Sequence, residues 1–134
     1  MRHKVAGRGF SRTANQRKAL LRGLVASLFE RQRIETTLAR AKEIKSISER
    51  IISFAKRGDL ASRRLALAYV GNKGIVATLF EKIAPRIKDR NGGYLRIVKT
   101  RNRSGDSAPM AVIEFTDIDV IKKEEKVEEK KEAK

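Results

Sequence analysis

The sequence contains no cysteine, no tryptophan and a single histidine, His3, among its 134 residues. Without cysteine the chain can form no disulfide, thiolate nucleophile or cysteine-ligated zinc site, and one histidine excludes metal sites built from several imidazoles. Aromatic residues make up only 5%, which argues against a surface that stacks many bases on rings. No apolar run reaches the roughly twenty residues of a membrane span, and no signal-peptide core follows Met1. We therefore expect a cytoplasmic protein without a membrane partner.

Acidic residues are scarce: 16 Asp or Glu stand against 32 Lys or Arg, which gives a formal net charge of +16 and a pI near 10.7. Such an excess opposes the compact state by self-repulsion unless a polyanion neutralises it. Apolar residues at 40% are nevertheless enough to build a core, so a wholly disordered basic protein is not expected. The composition favours one folded domain that binds nucleic acid.

The two ends of the chain differ from its middle. Residues 1–12 combine basic side chains with two glycines and almost nothing to bury, which predicts a basic N-terminal arm that becomes ordered on a partner. Residues 118–134 include a Lys and Glu run in which like charges recur four residues apart. That spacing destabilises an isolated helix and leaves no apolar stripe, so we expect a disordered tail. Residues 13–117 remain as the globular domain.

Within 13–117, apolar periodicity first predicts helices. A capping box at Thr13–Gln16 begins a first helix with leucines four residues apart. Alternation over 33–38 predicts a short strand. Three further helices are expected: from Thr37 to Gly58, over 60–69 behind Asp59 as a cap, and over 75–83, where Pro85 limits continuation.

The last part of the domain changes to strand patterns. Residues 94–100 and 110–115 read as two strands joined by a long polar loop, and the strand near Ile34 can pair with them. We predict an α+β fold, a two-layer α/β domain of order α-β-α-α-α-β-β. Its sheet is expected to be small, mixed and three-stranded, and to pack on the helices.

Motifs for catalysis are weak. Gly7-Arg8-Gly9 does not complete a phosphate-binding fingerprint, and residues 71–74 lack the ending of a P-loop. Ser11 and Ser107 have no base to activate them. The acids Asp106, Asp117 and Asp119 fit turn and solubility roles better than a metal site. We expect no enzymatic activity, no metal and no cofactor.

Two basic clusters carry the stronger functional signal. Arg17, Lys18 and Arg22 lie near the start of the first helix, where cations oppose the helix dipole and an external anion would relieve the conflict. Residues 82–103 hold eight basic side chains with only Asp89 opposing them, and arginine forks match phosphate geometry. Tyr94 could stack on a ribose or base, or equally lie at the edge of the core. Such patches position a protein on a nucleic-acid backbone without separating RNA from DNA.

Seven motifs occur in a fixed order over about residues 1–117: Met1-Arg2-His3-Lys4, Gly7-Arg8, Arg17-Lys18-Ala19, Ile34–Glu43, Arg63-Arg64-Leu65-Ala66, Gly92–Ile97 and Ala108–Ala111. Together they resemble the bacterial large-subunit ribosomal protein seventeen family. The Lys/Glu tail lies beyond the shared region.

The resemblance implies the same element order and binding to large-subunit rRNA near the exit of the nascent-peptide tunnel, in support of translation. It also implies neighbouring large-subunit ribosomal proteins as partners, no small-molecule substrate, no catalytic residue and no obligate homo-oligomer. Joined to the charge pattern, it gives these candidate RNA-binding residues: Arg2, His3, Lys4, Arg8, Arg12, Arg17, Lys18, Arg22, Arg63, Arg64, Arg90, Tyr94, Arg96, Lys99, Arg101 and Arg103.

Two other classes stay open on charge and composition alone. A nucleoid-type, non-specific DNA-binding protein is the alternative, because a basic surface suits duplex DNA equally well. An RNA-modifying enzyme is a third class, for which the sequence offers no catalytic motif.

Overall fold

The chain folds into a series of helices, with one strand after the first of them, followed by a β-hairpin, as the computed structural model shows for residues 7–117. The elements are α1 (Ala14–Arg31), β1 (Arg33–Thr37), α2 (Leu38–Arg57), α3 (Leu60–Val70), α4 (Lys73–Thr78), a π-helical turn (Leu79–Ile83), α5 (Ala84–Arg86), β2 (Leu95–Asn102) and β3 (Pro109–Phe115). The predicted element order and α+β class are confirmed. Arg2, His3, Lys4 and the predicted tail from residue 118 lie outside the described residues.

Local capping chemistry sets most helix ends where the sequence predicts them. The Thr13 Oγ1 accepts from the Gln16 N–H at 3.5 Å, while Gln16 Oε1 accepts from the Thr13 N–H at 3.3 Å. The Asp59 carboxylate accepts from the Ser62 N–H at 3.2 Å, and hydrogen bonding to the Ser62 side chain, followed by this backbone bond, lowers the pKa of Asp59. Thr37 occupies the cap position of α2, but its side chain makes no capping hydrogen bond. Gly58 ends α2 with a φ of 73°, a left-handed conformation that favours glycine.

The fourth helical segment continues further than the sequence predicts. Regular α-helix ends at Thr78, yet helical backbone runs on through Pro85 to Arg86. In an α-helix a proline ring clashes with the carbonyl four residues earlier. The π-helical turn widens the backbone just before Pro85, because the Ala84 N–H bonds to Leu79 O, five residues back. The predicted limit at Pro85 therefore appears as a local widening and not as a helix end.

The sheet has the order β1-β3-β2, and both neighbouring pairs are antiparallel. The sequence predicted a mixed sheet, and this prediction is wrong, because the sheet is antiparallel throughout. The reason is the position of β3. The second strand of the hairpin enters between β1 and β2, so the two strands that run in the same direction never become neighbours.

The core lies between the helices and one face of the sheet. Ala111, Ile113 and Phe115 of β3 are fully buried on that face, which confirms the predicted alternation. The Phe115 ring packs against Phe29 of α1 with ring centroids 6.5 Å apart. We call the opposite face, which carries Arg33, Glu35, Arg96, Val98, Val112 and Glu114, the open face, because its residues on the two edge strands are exposed, although Val112 and Glu114 on the central strand are buried.

The described part of the N-terminal arm is attached to the helices. Phe10 packs against the hydrophobic core, and a hydrogen bond of 3.3 Å from the Arg12 N–H to Gly9 O closes a turn. Gly7, at a φ of +90°, lies so close to α2 that a Cβ would be 3.1 Å from Glu43 Oε1. The expectation that residues 1–12 have almost nothing to bury is therefore wrong at Phe10.

Candidate nucleic-acid interface

Four basic residues precede or begin α1 and form no ion pair with a described residue. Arg8, Arg12 and Lys18 are exposed, and Arg17 is partly exposed. The first turn of α1 contains no acidic residue, and within residues 7–117 none of the four forms an ion pair. We call these four residues the N-terminal basic group. Their charges face the positive end of the α1 dipole, an arrangement that a bound anion would stabilise.

Arg22, one turn further along α1, has a different role. Its Nη2 donates to Ala68 O at 2.8 Å and so links α1 to α3. Its Nε is buried without a hydrogen-bond partner among the described residues. Burial raises the pKa of the neighbouring Tyr69, and the positive charge of Arg22 opposes that rise. Arg22 therefore joins two helices and does not extend the exposed basic group.

The second predicted cluster is largely paired. Arg90 meets Asp117 through two hydrogen bonds of 3.1 and 3.0 Å. Further ion pairs join Arg96 Nε to Glu114 Oε1 at 2.6 Å, Arg101 Nε to Glu35 Oε1 at 3.6 Å and Arg103 Nη2 to Asp106 Oδ2 at 2.6 Å. The sequence count found only Asp89 because it looked at neighbours along the chain. Strand pairing and the hairpin loop bring in carboxylates from elsewhere, and the residues without such a partner in the described chain are Lys82, Lys88 and Lys99.

Tyr94 takes the second of its two predicted positions, at the edge of the core. Its residue is only 5% exposed. The Tyr94 hydroxyl accepts from Lys56 Nζ at 3.2 Å, and the same ammonium lies 5.1 Å from the ring centroid. The Lys56 ammonium also donates to the Arg90 carbonyl. These contacts occupy the hydroxyl and cover the ring, so we leave Tyr94 out of the exposed interface.

The two arginines of α3 are placed differently from each other. Arg63 forms an ion pair with Glu81 at 3.1 Å, and its guanidinium lies 5.2 Å from the centroid of the Phe80 ring. Arg64 is exposed and forms no ion pair with a described residue. Arg64 is therefore the more available of the two for an outside anion.

The sequence reasoning missed Arg33. This residue lies on the open face of the sheet, directly opposite Glu114, and forms an ion pair with it at 3.3 Å. The alternating pattern of β1 already placed Arg33 on the side away from Ile34. What the sequence could not show is that β3 lies beside β1 and brings Glu114, and beyond it Arg96, into the same row.

Nothing in the described chain resembles a catalytic or metal centre. Residues 7–117 contain no group of three or more His, Cys, Asp or Glu that could hold a metal ion. Of the three acids considered from the sequence, Asp106 and Asp117 are bound by arginines, and Asp119 lies outside the described residues. No helix within 7–117 combines the length and apolar character needed to cross a membrane.

Comparison with known proteins identifies the family. The family model for ribosomal protein L17 matches residues 20–116. The chain belongs to the ribosomal protein L17 family. It is 57% identical over 131 residues to the large ribosomal subunit protein bL17 of Thermodesulfovibrio yellowstonii, with 98% of each chain covered. The protein of the same name from Geobacter metallireducens is 49% identical over 133 residues, which cover 99% of this chain and 75% of that one.

Membership of the L17 family confirms the resemblance found in the motifs. L17 proteins are structural components of the ribosome and not enzymes, so the expectation of a non-catalytic ribosomal protein is confirmed as well. The family match begins at residue 20, after the N-terminal basic group. The alignment with the Thermodesulfovibrio protein covers 98% of the chain and is therefore long enough to include this group.

Proposed function

We propose that the protein binds large-subunit rRNA near the exit of the nascent-peptide tunnel, as a structural constituent of the large ribosomal subunit in the cytoplasm. Its partners there are rRNA and neighbouring ribosomal proteins, and through them it supports translation. It acts without a cofactor or small-molecule substrate and is not an obligate homo-oligomer. The names of its relatives, which are large ribosomal subunit proteins, support the assembly.

The observation that carries RNA binding is the N-terminal basic group. Arg8, Arg12, Arg17 and Lys18 lie just before or early in α1, whose first turn has no acid, and none of them forms an ion pair with a described residue. Phosphates would relieve both their mutual repulsion and their conflict with the α1 dipole. Each phosphate they neutralise also releases condensed counterions, which favours binding at low salt.

The hairpin and α3 each offer further, weaker contact points for RNA. Arg64 and Lys99 are exposed without an ion-pair partner in residues 7–117, whereas Arg96, Arg101 and Arg103 are exposed but partly neutralised. A paired arginine keeps free N–H groups and can still contact a phosphate, although with less net attraction. A-form RNA is recognised largely through its shape, phosphates and 2′-hydroxyls, which suits such a surface.

The N-terminal arm extends the proposed RNA contacts beyond the globular domain. Phe10 fixes the arm at the side of the helical layer, so the basic residues that precede it start from a defined point. From that point a narrow chain can pass between RNA segments that a globular face cannot enter. Phosphate contacts by the arm's basic residues would add counterion release and charge-assisted hydrogen bonds to the binding.

Co-sedimentation tests the proposal directly. The tagged full chain is expressed in bacterial cells, and its lysate is separated on a sucrose gradient at low salt. We expect the protein in the fractions of the large subunit and of whole ribosomes, and its release as salt rises. If it remains at the top of the gradient at low salt, the proposal is overturned.

A competition assay separates this function from non-specific DNA binding. Labelled large-subunit rRNA bound to the protein is challenged with equal masses of unlabelled rRNA and of random duplex DNA. We expect rRNA to displace the label at much lower concentration than DNA does. Equal displacement by both would favour a nucleoid-type DNA-binding protein.

A further inference from the structure

A row of three charged residues crosses the open face of the sheet. Arg33 of β1 and Arg96 of β2 both lie directly opposite Glu114 of the central strand β3. The Glu114 side chain is only 7% exposed, while those of Arg33 and Arg96 are 57% and 49% exposed. The carboxylate is thus covered by the two arginines that flank it, and the arginines themselves face outward.

The two carboxylate oxygens are shared between the two arginines. Glu114 Oε2 lies 3.3 Å from Arg33 Nε, and Glu114 Oε1 lies 2.6 Å from Arg96 Nε. The inner nitrogen of Arg96 donates a hydrogen bond to the carboxylate, and the inner nitrogen of Arg33 forms an ion pair with it. A guanidinium has five N–H groups, four of them on the terminal nitrogens, so an outward-facing donor set remains on each arginine. Arg103 differs, because Asp106 engages both its Nε and its Nη2.

Burial of Glu114 calls for an explanation other than stability. Taking a carboxylate out of water is costly, and apolar residues at a buried ion-pair site often give equal or greater stability. The next outward-facing position on β3 is Val112, which shows that an apolar side chain fits this face. A carboxylate at position 114 fixes the direction of two arginine side chains, which a valine at this position could not do.

We propose that Glu114 is a positioning residue that holds Arg33 and Arg96 as a two-arginine site for RNA backbone phosphates on the open face. The inference rests on the proposed rRNA binding and assigns a further contact surface to it. Two neighbouring inter-strand spacings of about 4.8 Å place the two arginine backbones roughly 10 Å apart. With one carboxylate between them the row keeps a net charge of +1. Fixing the two side chains before binding lowers the entropy lost when phosphates dock.

The rest of the open face is compatible with an approaching anion. Glu35 is the other acid there, and its carboxylate faces Arg101 at 3.6 Å and Thr100 at 3.4 Å. These contacts partly neutralise Glu35 on the side away from the Arg33–Glu114–Arg96 row. Val112 and Val98 lie in the same row as Glu35 and bring no further charge to the face.

Two matched glutamine variants test the inference. Glu114→Gln and Glu35→Gln each remove one negative charge from the same face, so a purely electrostatic surface predicts tighter RNA binding for both. We expect Glu114→Gln to bind purified large-subunit rRNA about fivefold more weakly, the equivalent of one net hydrogen bond, because one arginine loses its acceptor. Glu35→Gln should bind as tightly as the unchanged protein or more tightly. Binding is measured on the full chain, after thermal unfolding shows that each variant is folded.

Two lysine variants keep the inference falsifiable if Glu114→Gln fails to fold. Arg33→Lys and Arg96→Lys retain the charge but lose the planar fork. We expect each to weaken rRNA binding several-fold with an unchanged slope of log affinity against log salt, because that slope reports charge neutralised. Full affinity in both lysine variants, or tighter binding in Glu114→Gln, would overturn the inference while rRNA binding by the unchanged protein stands. Failure of the unchanged protein to bind would overturn the proposed function itself.

Discussion

At the scale of single residues, the hairpin loop shows how a local ion pair changes an acid. Asp106 Oδ1 accepts from Arg103 Nε at 3.0 Å and from the Ala108 N–H at 3.2 Å, while Oδ2 accepts from Arg103 Nη2 at 2.6 Å. These bonds stabilise the charged form, with the Arg103 contact as the largest cause, and lower the pKa of Asp106 to about 2. The turn role expected for this acid from sequence is what the structure shows.

The Asp106 contact predicts a measurable titration. Because the pKa in the folded state lies below the unfolded value, the contact stabilises the fold above that unfolded pKa and is lost as pH falls through about 2. Arg103→Gln should raise the pKa of Asp106 toward its ordinary value, as followed by NMR of the carboxyl carbon. Arg101→Gln, which removes a neighbouring charge without touching Asp106, should leave that pKa nearly unchanged. A pKa near 2 that persists in Arg103→Gln would contradict the assignment.

Single residues also mark the limit of sequence reasoning about the site. Arg90 and Arg96 counted as members of a basic cluster because residues 82–103 contain eight basic side chains and only one acid, Asp89. Their partners Asp117 and Glu114 lie on the far side of the hairpin and become neighbours only through folding. By contrast, the unpaired state of Arg17 and Lys18 could be predicted, because no acid precedes residue 30, and neither forms an ion pair with a described residue.

At the scale of secondary-structure elements, ends set by local chemistry were predictable and long-range pairing was not. The Thr13 capping box, the Asp59 cap and the glycine after α2 depend on residues within one turn of each other. The antiparallel register of β1 with β3 joins residues about 80 positions apart, so no local pattern encodes it. Because the order of the strands depends on this distant pairing, the sequence did not show that β3 lies between β1 and β2, and a mixed sheet was expected.

The element that most affects the proposed function is the turn that carries Phe10. The variant Phe10→Ala should leave the fold almost intact, because Phe10 is only partly buried at the edge of the core. It should weaken binding to large-subunit rRNA, since each arm residue that must be ordered again costs about 1–2 kcal/mol of backbone entropy. Filter binding measures the affinity, and hydrogen exchange at the Arg12 amide reports whether the turn to Gly9 opens.

Phe10→Leu serves as the matched control for this prediction. Leucine keeps an apolar contact with the core, so most of the affinity should return and the Arg12 amide should stay protected. If Phe10→Ala binds as tightly as the unchanged protein while the Arg12 amide exchanges freely, the anchored arm does not contribute to binding.

At the scale of the whole molecule, the net charge of +16 is unevenly distributed. Residues 1–29 hold seven basic and no acidic side chains, whereas residues 122–134 hold six lysines and five glutamates. Residues 82–103 hold eight basic side chains and one acid, which gives them the same net charge of +7. In the fold, ion pairs with carboxylates from other parts of the chain neutralise four of these arginines. The start of α1 therefore keeps its charge in the described fold, because none of its four basic residues forms an ion pair within residues 7–117.

The salt dependence of rRNA binding tests this central claim most directly. The measurement compares the slope of log affinity against log salt for the full chain, for a variant with Arg8, Arg12, Arg17 and Lys18 all replaced by glutamine, and for a chain without residues 122–134. Affinity falls as salt rises, and each lost phosphate contact makes this slope less steep by about 0.7–0.9. We therefore predict a slope that is less steep by roughly three in the glutamine variant and almost unchanged in the truncated chain. A glutamine variant that keeps the slope of the unchanged protein would contradict the account.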